Sequence, residues 1–192
     1  MKRRSRYTEQ GIKELCILSL MGALMFALQV AMASIPNVHL TAVLIILTAV
    51  FFGWKCLYSV AVFVMLEGLV WGFGLWWFCY WYLWPLLAVP AVLLRANRSP
   101  FIWAAVAGLH GLLFGALCSV PFVFIGGIEM AVSYWVSGIS FDLIHCAGNF
   151  TLTLILFKPL YTAMEKAMAL SGGKSGKPEV CEENGAELPR QG

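Results

Sequence analysis

Residues 15–34 read LCILSLMGALMFALQVAMAS, an apolar run that ends against Pro36. A bilayer's hydrocarbon core is about 30 Å thick and takes about 20 apolar residues per helical crossing. This run is therefore long enough to span. It is too long for the apolar centre of a cleavable signal, and it lacks a clear small-residue cleavage site before Pro36, although Lys2-Arg3-Arg4-Ser5-Arg6 precedes it. The reading is a retained first transmembrane helix.

Outward from that run the character does not change. Of 192 residues, 60% are hydrophobic and 12% charged, with a mean hydropathy of +0.80. A soluble domain is about 45–50% apolar and about 25% charged, so the solvent of this chain is lipid. A cytoplasmic enzyme and a large extramembrane domain are excluded, and a net charge of +3 leaves no basis for binding nucleic acid. Strand-period alternation is absent, which argues against a membrane barrel. The six cysteines, Cys16, Cys56, Cys79, Cys118, Cys146 and Cys181, are scattered without a CxxC pair, and thiols in apolar segments act as small hydrophobes.

Proline, glycine and charge divide the apolar sequence into six helices, at about 12–34, 38–53, 57–73, 76–94, 101–125 and 139–168. Residues 126–138 read as a loop with an interfacial piece. Pro85 and Pro90 fall inside the fourth helix, where neighbours must satisfy the freed carbonyls. The domain organisation is a basic cytoplasmic N-terminus (1–11), a six-helix membrane domain (12–168) and a disordered cytoplasmic tail (169–192) rich in Gly, Lys and Glu. Under this division all 13 basic residues fall on one side: Lys2, Arg3, Arg4, Arg6 and Lys13; Lys55; Arg95 and Arg98; Lys158, Lys166, Lys174, Lys177 and Arg190. The positive-inside rule then places both termini in the cytoplasm.

Ionisable groups inside a bilayer are expensive and mark functional positions. Glu67 lies in the third helix, His110 in the fifth, and Asp142, His145 and Asn149 in the sixth. The last three share one helical stripe, which describes an outward-opening pocket; the alternative is a hydrogen-bond network tying the third, fifth and sixth helices together. Trp71, Trp76, Trp77, Tyr80, Trp81, Tyr82 and Trp84 crowd the outer end of the third helix and the start of the fourth. An interfacial belt explains some of them, and inward-facing ones would stack on a flat ligand. In the turn Ile35-Pro36-Asn37-Val38-His39, Asn37 and His39 would reach a ligand from above, though capping also explains Asn37. Ser19, Ala23, Ala27 and Ala31 make a flat face on the first helix, repeated in the fifth by Ala107, Gly111, Gly115 and Ser119; either serves close helix packing.

No Walker loop, GxSxG or HExxH occurs, so any active transport draws its energy from a partner or an ion gradient.

Ala23-x-x-x-Ala27-x-x-x-Ala31, the turn Ile35-Pro36-Asn37-Val38-His39-Leu40, Leu66-Glu67-Gly68 through Leu75-Trp76-Trp77, and Phe141-Asp142-Leu143-Ile144-His145 through Gly148-Asn149-Phe150 carry a likeness over about residues 10–170. On these segments the chain resembles the substrate-binding S component of energy-coupling factor (ECF) transporters. The resemblance implies a receptor, not an enzyme, in a prokaryotic plasma membrane, without a cofactor, that captures a vitamin or similar micronutrient outside. It implies docking through Ala23, Ala27 and Ala31 onto a transmembrane coupling protein bearing two ATPase subunits. The outer half holds Glu67, Glu129 and Asp142 but no Lys or Arg, which points to a neutral or cationic ligand with a flat ring. Its expected contacts are Asn37, His39, Glu67, Trp71, Trp76, Trp77, Tyr80, His110, Asp142, His145 and Asn149. The competing readings are a stand-alone proton-coupled carrier, in which Glu67, Asp142 and the histidines titrate, and an intramembrane enzyme with a metal on His110, Asp142 and His145.

Overall fold

The shortest α-helix is the one at the centre. Helix α2 (Thr41–Phe52) is buried at every position from Thr41 to Val50, and it touches α1 (Lys2–Ala31), α3 (Cys56–Trp71), α4 (Leu75–Leu93), α5 (Pro100–Cys118) and α6 (Val120–Leu170). A helix apolar all round belongs inside a bundle. The two hydroxyls of α2 are internally satisfied: Thr48 Oγ1 donates to the Leu44 carbonyl at 2.7 Å and Thr41 Oγ1 to Gln29 Oε1 at 3.0 Å. Around α2 pack Met25, Phe63, Trp84, Leu87, Trp103 and Phe157, each at most 2% exposed. The computed structural model describes residues 2–34 and 38–170, with side chains from residue 11 onward. Among the described residues there is no strand.

Among the described residues, five helical stretches are long and apolar enough to cross a membrane: Gly11–Ala31, Thr41–Trp71, Leu75–Leu93, Pro100–Cys118 and Val120–Leu170. The second of these is folded back on itself. As the chain runs from Thr41 to Lys55, its partners on α1 run backwards, from Gln29 to Glu14, which meets Lys55 Nζ at 2.6 Å. From Lys55 to Ser59 they advance again, and Ser59 Oγ donates to the Leu18 carbonyl at 2.7 Å. The reversal is a 3₁₀ turn, Gly53–Lys55, whose Gly53 has φ +58°, a left-handed conformation that glycine adopts at little cost. Helix α1 extends further at its start than the sequence suggests, to Lys2.

The largest departure from the sequence reading lies between α5 and α6. Continuous helix was expected to about residue 125, but α5 ends at Cys118. Pro121 has no N–H for the Leu117 carbonyl, and Phe122 N turns instead to the Ser119 carbonyl at 3.0 Å. The freed carbonyls are taken up by α4: Tyr82 Oη donates to Leu117 O at 2.7 Å and Cys79 Sγ to Cys118 O at 3.8 Å. The expected loop at 126–138 is also corrected. The chain turns at Gly126 and at Gly127, whose φ is +78°, and is helical again at once. The two arms then run antiparallel, with Phe122 stacked on Tyr134 at 4.3 Å, Gly115 beside Asp142, and Ala107 beside Asn149.

The two small-residue faces have different uses. On α5, Ala107 and Gly111 are buried against α6, and a Cβ on Gly111 would stand 2.8 Å from the His145 carbonyl. On α1, Ala23 is half-buried while Ala27 and Ala31 are exposed, beside exposed Leu20, Leu24 and Val30. Gly111→Ala therefore forces apart two backbones and is expected to cost about 1–3 kcal/mol, seen as a lower thermal midpoint in detergent. Gly11→Ala, with nothing within 4 Å of the new methyl, is expected to leave the midpoint unchanged or raised.

Candidate ligand-binding site

Helix α4 supplies the aromatic wall. Trp76, Tyr80 and Trp84 recur every fourth residue and so share one face; their rings meet edge to face at 5.2 and 5.6 Å. The intervening Phe78, Trp81 and Tyr82 are exposed on other sides of the helix, as belt residues are. The inward stripe borders a cavity of about 330 Å³, which Trp76 and Tyr80 line together with Trp71 of α3 and Phe114 of α5.

Its polar lining comes from four different segments: Gln29, His39, Glu67 and His145. Glu67 is 2% exposed, and its Oε1 has no hydrogen-bond partner. His39 Nδ1 and His145 Nε2 are likewise buried and unpartnered. The two imidazoles lie 5.0 Å apart, edge to face; His39 also packs on Trp84 at 5.8 Å and His145 on Phe114 at 4.8 Å. Buried polar atoms are ordinarily bonded, and three orphans around one cavity make a surface ready to receive a polar guest. Among the described residues no Lys or Arg lines it. Gln29 stands fifteen residues beyond Glu14 on α1, so the cavity lies about 22 Å along the helix from the Glu14–Lys55 pair.

Of the expected contacts, the cavity brings together His39, Glu67, Trp71, Trp76, Tyr80 and His145; Asn37 lies outside the described residues. The other four are elsewhere. Trp77 turns onto α3 and donates Nε1 to the Val64 carbonyl at 2.8 Å. His110 sits behind Trp84, with Nε2 3.0 Å from the Leu83 carbonyl. Asp142 accepts from Gly115 N at 2.9 Å, and Asn149 Nδ2 donates to the Ala107 carbonyl at 3.4 Å. The polar stripe of α6 therefore divides its work: Asp142 and Asn149 tie α6 to α5, and only His145 reaches the cavity. Gln29, Met32, Ala33, Val38 and Phe114 also line it and were missed. Gln29 was discoverable as the single amide in the apolar run of residues 15–34.

Among the described residues, no three His, Cys, Asp or Glu side chains converge to hold a metal ion. The chain matches no protein-family model, no curated protein and no solved structure.

His39 precedes α2, outside the apolar helical stretches. Burial pushes its imidazole down to about 4 from an ordinary 6.5, with the nearby His110 acting in the same direction. The unfolded chain takes this proton near pH 6.5 and the folded chain resists it. The contribution to stability is thus intact above pH 6.5 and is lost as pH falls from 6.5 toward 4. Thermal midpoints measured across pH 4–8 are expected to be steeper on the acid side in the wild type than in His39→Gln; equal slopes would show that His39 is not held neutral.

Proposed function

We propose that this protein is the substrate-binding S component of an ECF-type importer, crossing the membrane six times with both termini in the cytoplasm. The observation that carries the reading is the cavity with its unpartnered Glu67, His39 and His145 atoms, in a bundle that leaves Ala27 and Ala31 uncovered.

Three features support it. The basic side chains gather at the end of the bundle away from the cavity: Lys55 pairs with Glu14, Arg95 lies beside Gly53, and the Arg98 guanidinium sits 4.5 Å above the Tyr161 ring. With that end cytoplasmic, the cavity opens outward. Counting the folded-back Thr41–Trp71 stretch as two crossings brings five apolar stretches to six. The small-residue face of α5 is consumed by α6, whereas that of α1 remains free for another protein's helix. Energy would come from two ATPase subunits acting through a transmembrane coupling protein.

The guest is a vitamin-sized molecule, since about 330 Å³ is at the small end of ligand pockets. It is neutral or cationic, because Glu67 offers a carboxyl and, among the described residues, no basic side chain lines the cavity. A flat ring would stack against the Trp76, Tyr80 and Phe114 rings that line the cavity.

Binding and import separate in this scheme. Glu67→Gln removes a charge-assisted hydrogen bond worth about 1.5–3 kcal/mol and is expected to weaken binding of a cationic ligand about 10- to 100-fold. Ala27→Trp roughens the exposed side of α1, turned away from the cavity-lining Gln29, Met32 and Ala33, and is expected to abolish uptake in cells with affinity almost unchanged. Equal loss of binding in both variants would assign the α1 face to folding alone. Uptake by vesicles containing this chain only, abolished by an uncoupler, would instead establish a proton-coupled carrier.

A further inference from the structure

Two cysteines that lie 39 residues apart in sequence meet at one end of the α4–α5 seam. Cys79, one turn into α4, is 2% exposed, and Cys118, the last residue of α5, is 7% exposed. With Leu83 they form a small cluster separate from the main core, packed against Tyr80, Phe114 and Leu117. Cys79 Sγ lies 3.8 Å from the Cys118 carbonyl. Both are free. A disulfide needs Cβ atoms within about 4.5 Å, and here the two side chains share one small buried cluster across the α4–α5 seam.

Capping of the freed carbonyl explains one thiol. It does not require a second: a serine or threonine at position 79 would donate more strongly, and Cys118 has no part in the cap beyond its main chain. We infer that Cys79 and Cys118 form a disulfide site, closed by exchange with a low-molecular-weight disulfide or the disulfide of a partner oxidoreductase. The Cys79 thiolate attacks the external disulfide, forming a mixed disulfide and releasing one reduced thiol. The Cys118 thiolate then attacks Cys79 Sγ and expels the second. The two protons given up by Cys79 and Cys118 end on the two released thiols, the protein dithiol is oxidised and the external disulfide is reduced. Cys118 sits at the helix break made by Pro121, where a small reagent meets a helix end and not a continuous wall. Closure staples α4 to α5 beside Tyr80 and Phe114, whose rings are 6.1 Å apart and which both line the cavity. This inference rests on the fold and stands whether or not the protein is a transport component.

The test treats the folded full-length protein in detergent with dipyridyl disulfide, blocks remaining thiols, and maps peptides without reduction. The expected result is a reductant-sensitive peptide pair joining Cys79 to Cys118, with exposed Cys16 carrying a pyridyl adduct as an internal control. In Cys118→Ser, the cross-linked pair is expected to vanish. Full modification of Cys16 in the wild type, with Cys79 and Cys118 unlinked to each other, would overturn the inference even if the variant fails to fold. A cross-link that forms only after denaturation would overturn it equally.

Discussion

A carboxyl group buried inside an apolar bundle with an oxygen bonded to nothing is costly, and Glu67 is such a group. Burial of an unpaired polar atom costs about 1–3 kcal/mol, and the bundle places two more such atoms, on His39 and His145, around the same space. The remainder of the architecture holds these groups in place. The buried α2 fixes the positions of its neighbours, and α3 turns back along it from Gly53 to deliver Glu67. The α5–α6 seam, closed by Gly111, brings His145 level with His39.

The contrast between the two small-residue faces gives the bundle a second surface. Both stripes have the same four-residue spacing, and local sequence does not distinguish them. Their surroundings do: α5 meets the polar stripe of α6, where Asp142 and Asn149 bond its main chain, whereas on α1 Ala27 and Ala31 are exposed. In lipid, small residues on an uncovered face contribute little packing within the chain.

Much of this was legible in the sequence, because lipid imposes helices and because Pro, Gly and basic residues break the apolar runs. The helices before residue 118 fall within a few residues of their expected limits, apart from the early start of α1. Reading failed where a break had a tertiary cure. Pro121 was visible, but its effect on Leu117 and Cys118 depended on Tyr82 and Cys79 arriving from α4. Gly126–Gly127 was read as the start of a loop, yet two glycines sufficed to turn the chain, leaving Ile128 onward free to continue the helix. In the site, the α4 face carrying Trp76, Tyr80 and Trp84 follows from periodicity. Which of Asp142, His145 and Asn149 looks into the cavity does not, since that depends on how α6 is rotated against α5. Gln29 went unnoticed because one amide hardly changes the hydropathy of a long apolar helix.

On the function proposed above, Glu67 and its neighbours receive a small flat molecule. Native mass spectrometry of the protein purified from its own host tests it most directly. The account predicts one small neutral or cationic molecule bound per chain in the wild type and lost in Glu67→Gln. A strongly anionic ligand, or a bound mass retained unchanged when Glu67 is replaced, would contradict it.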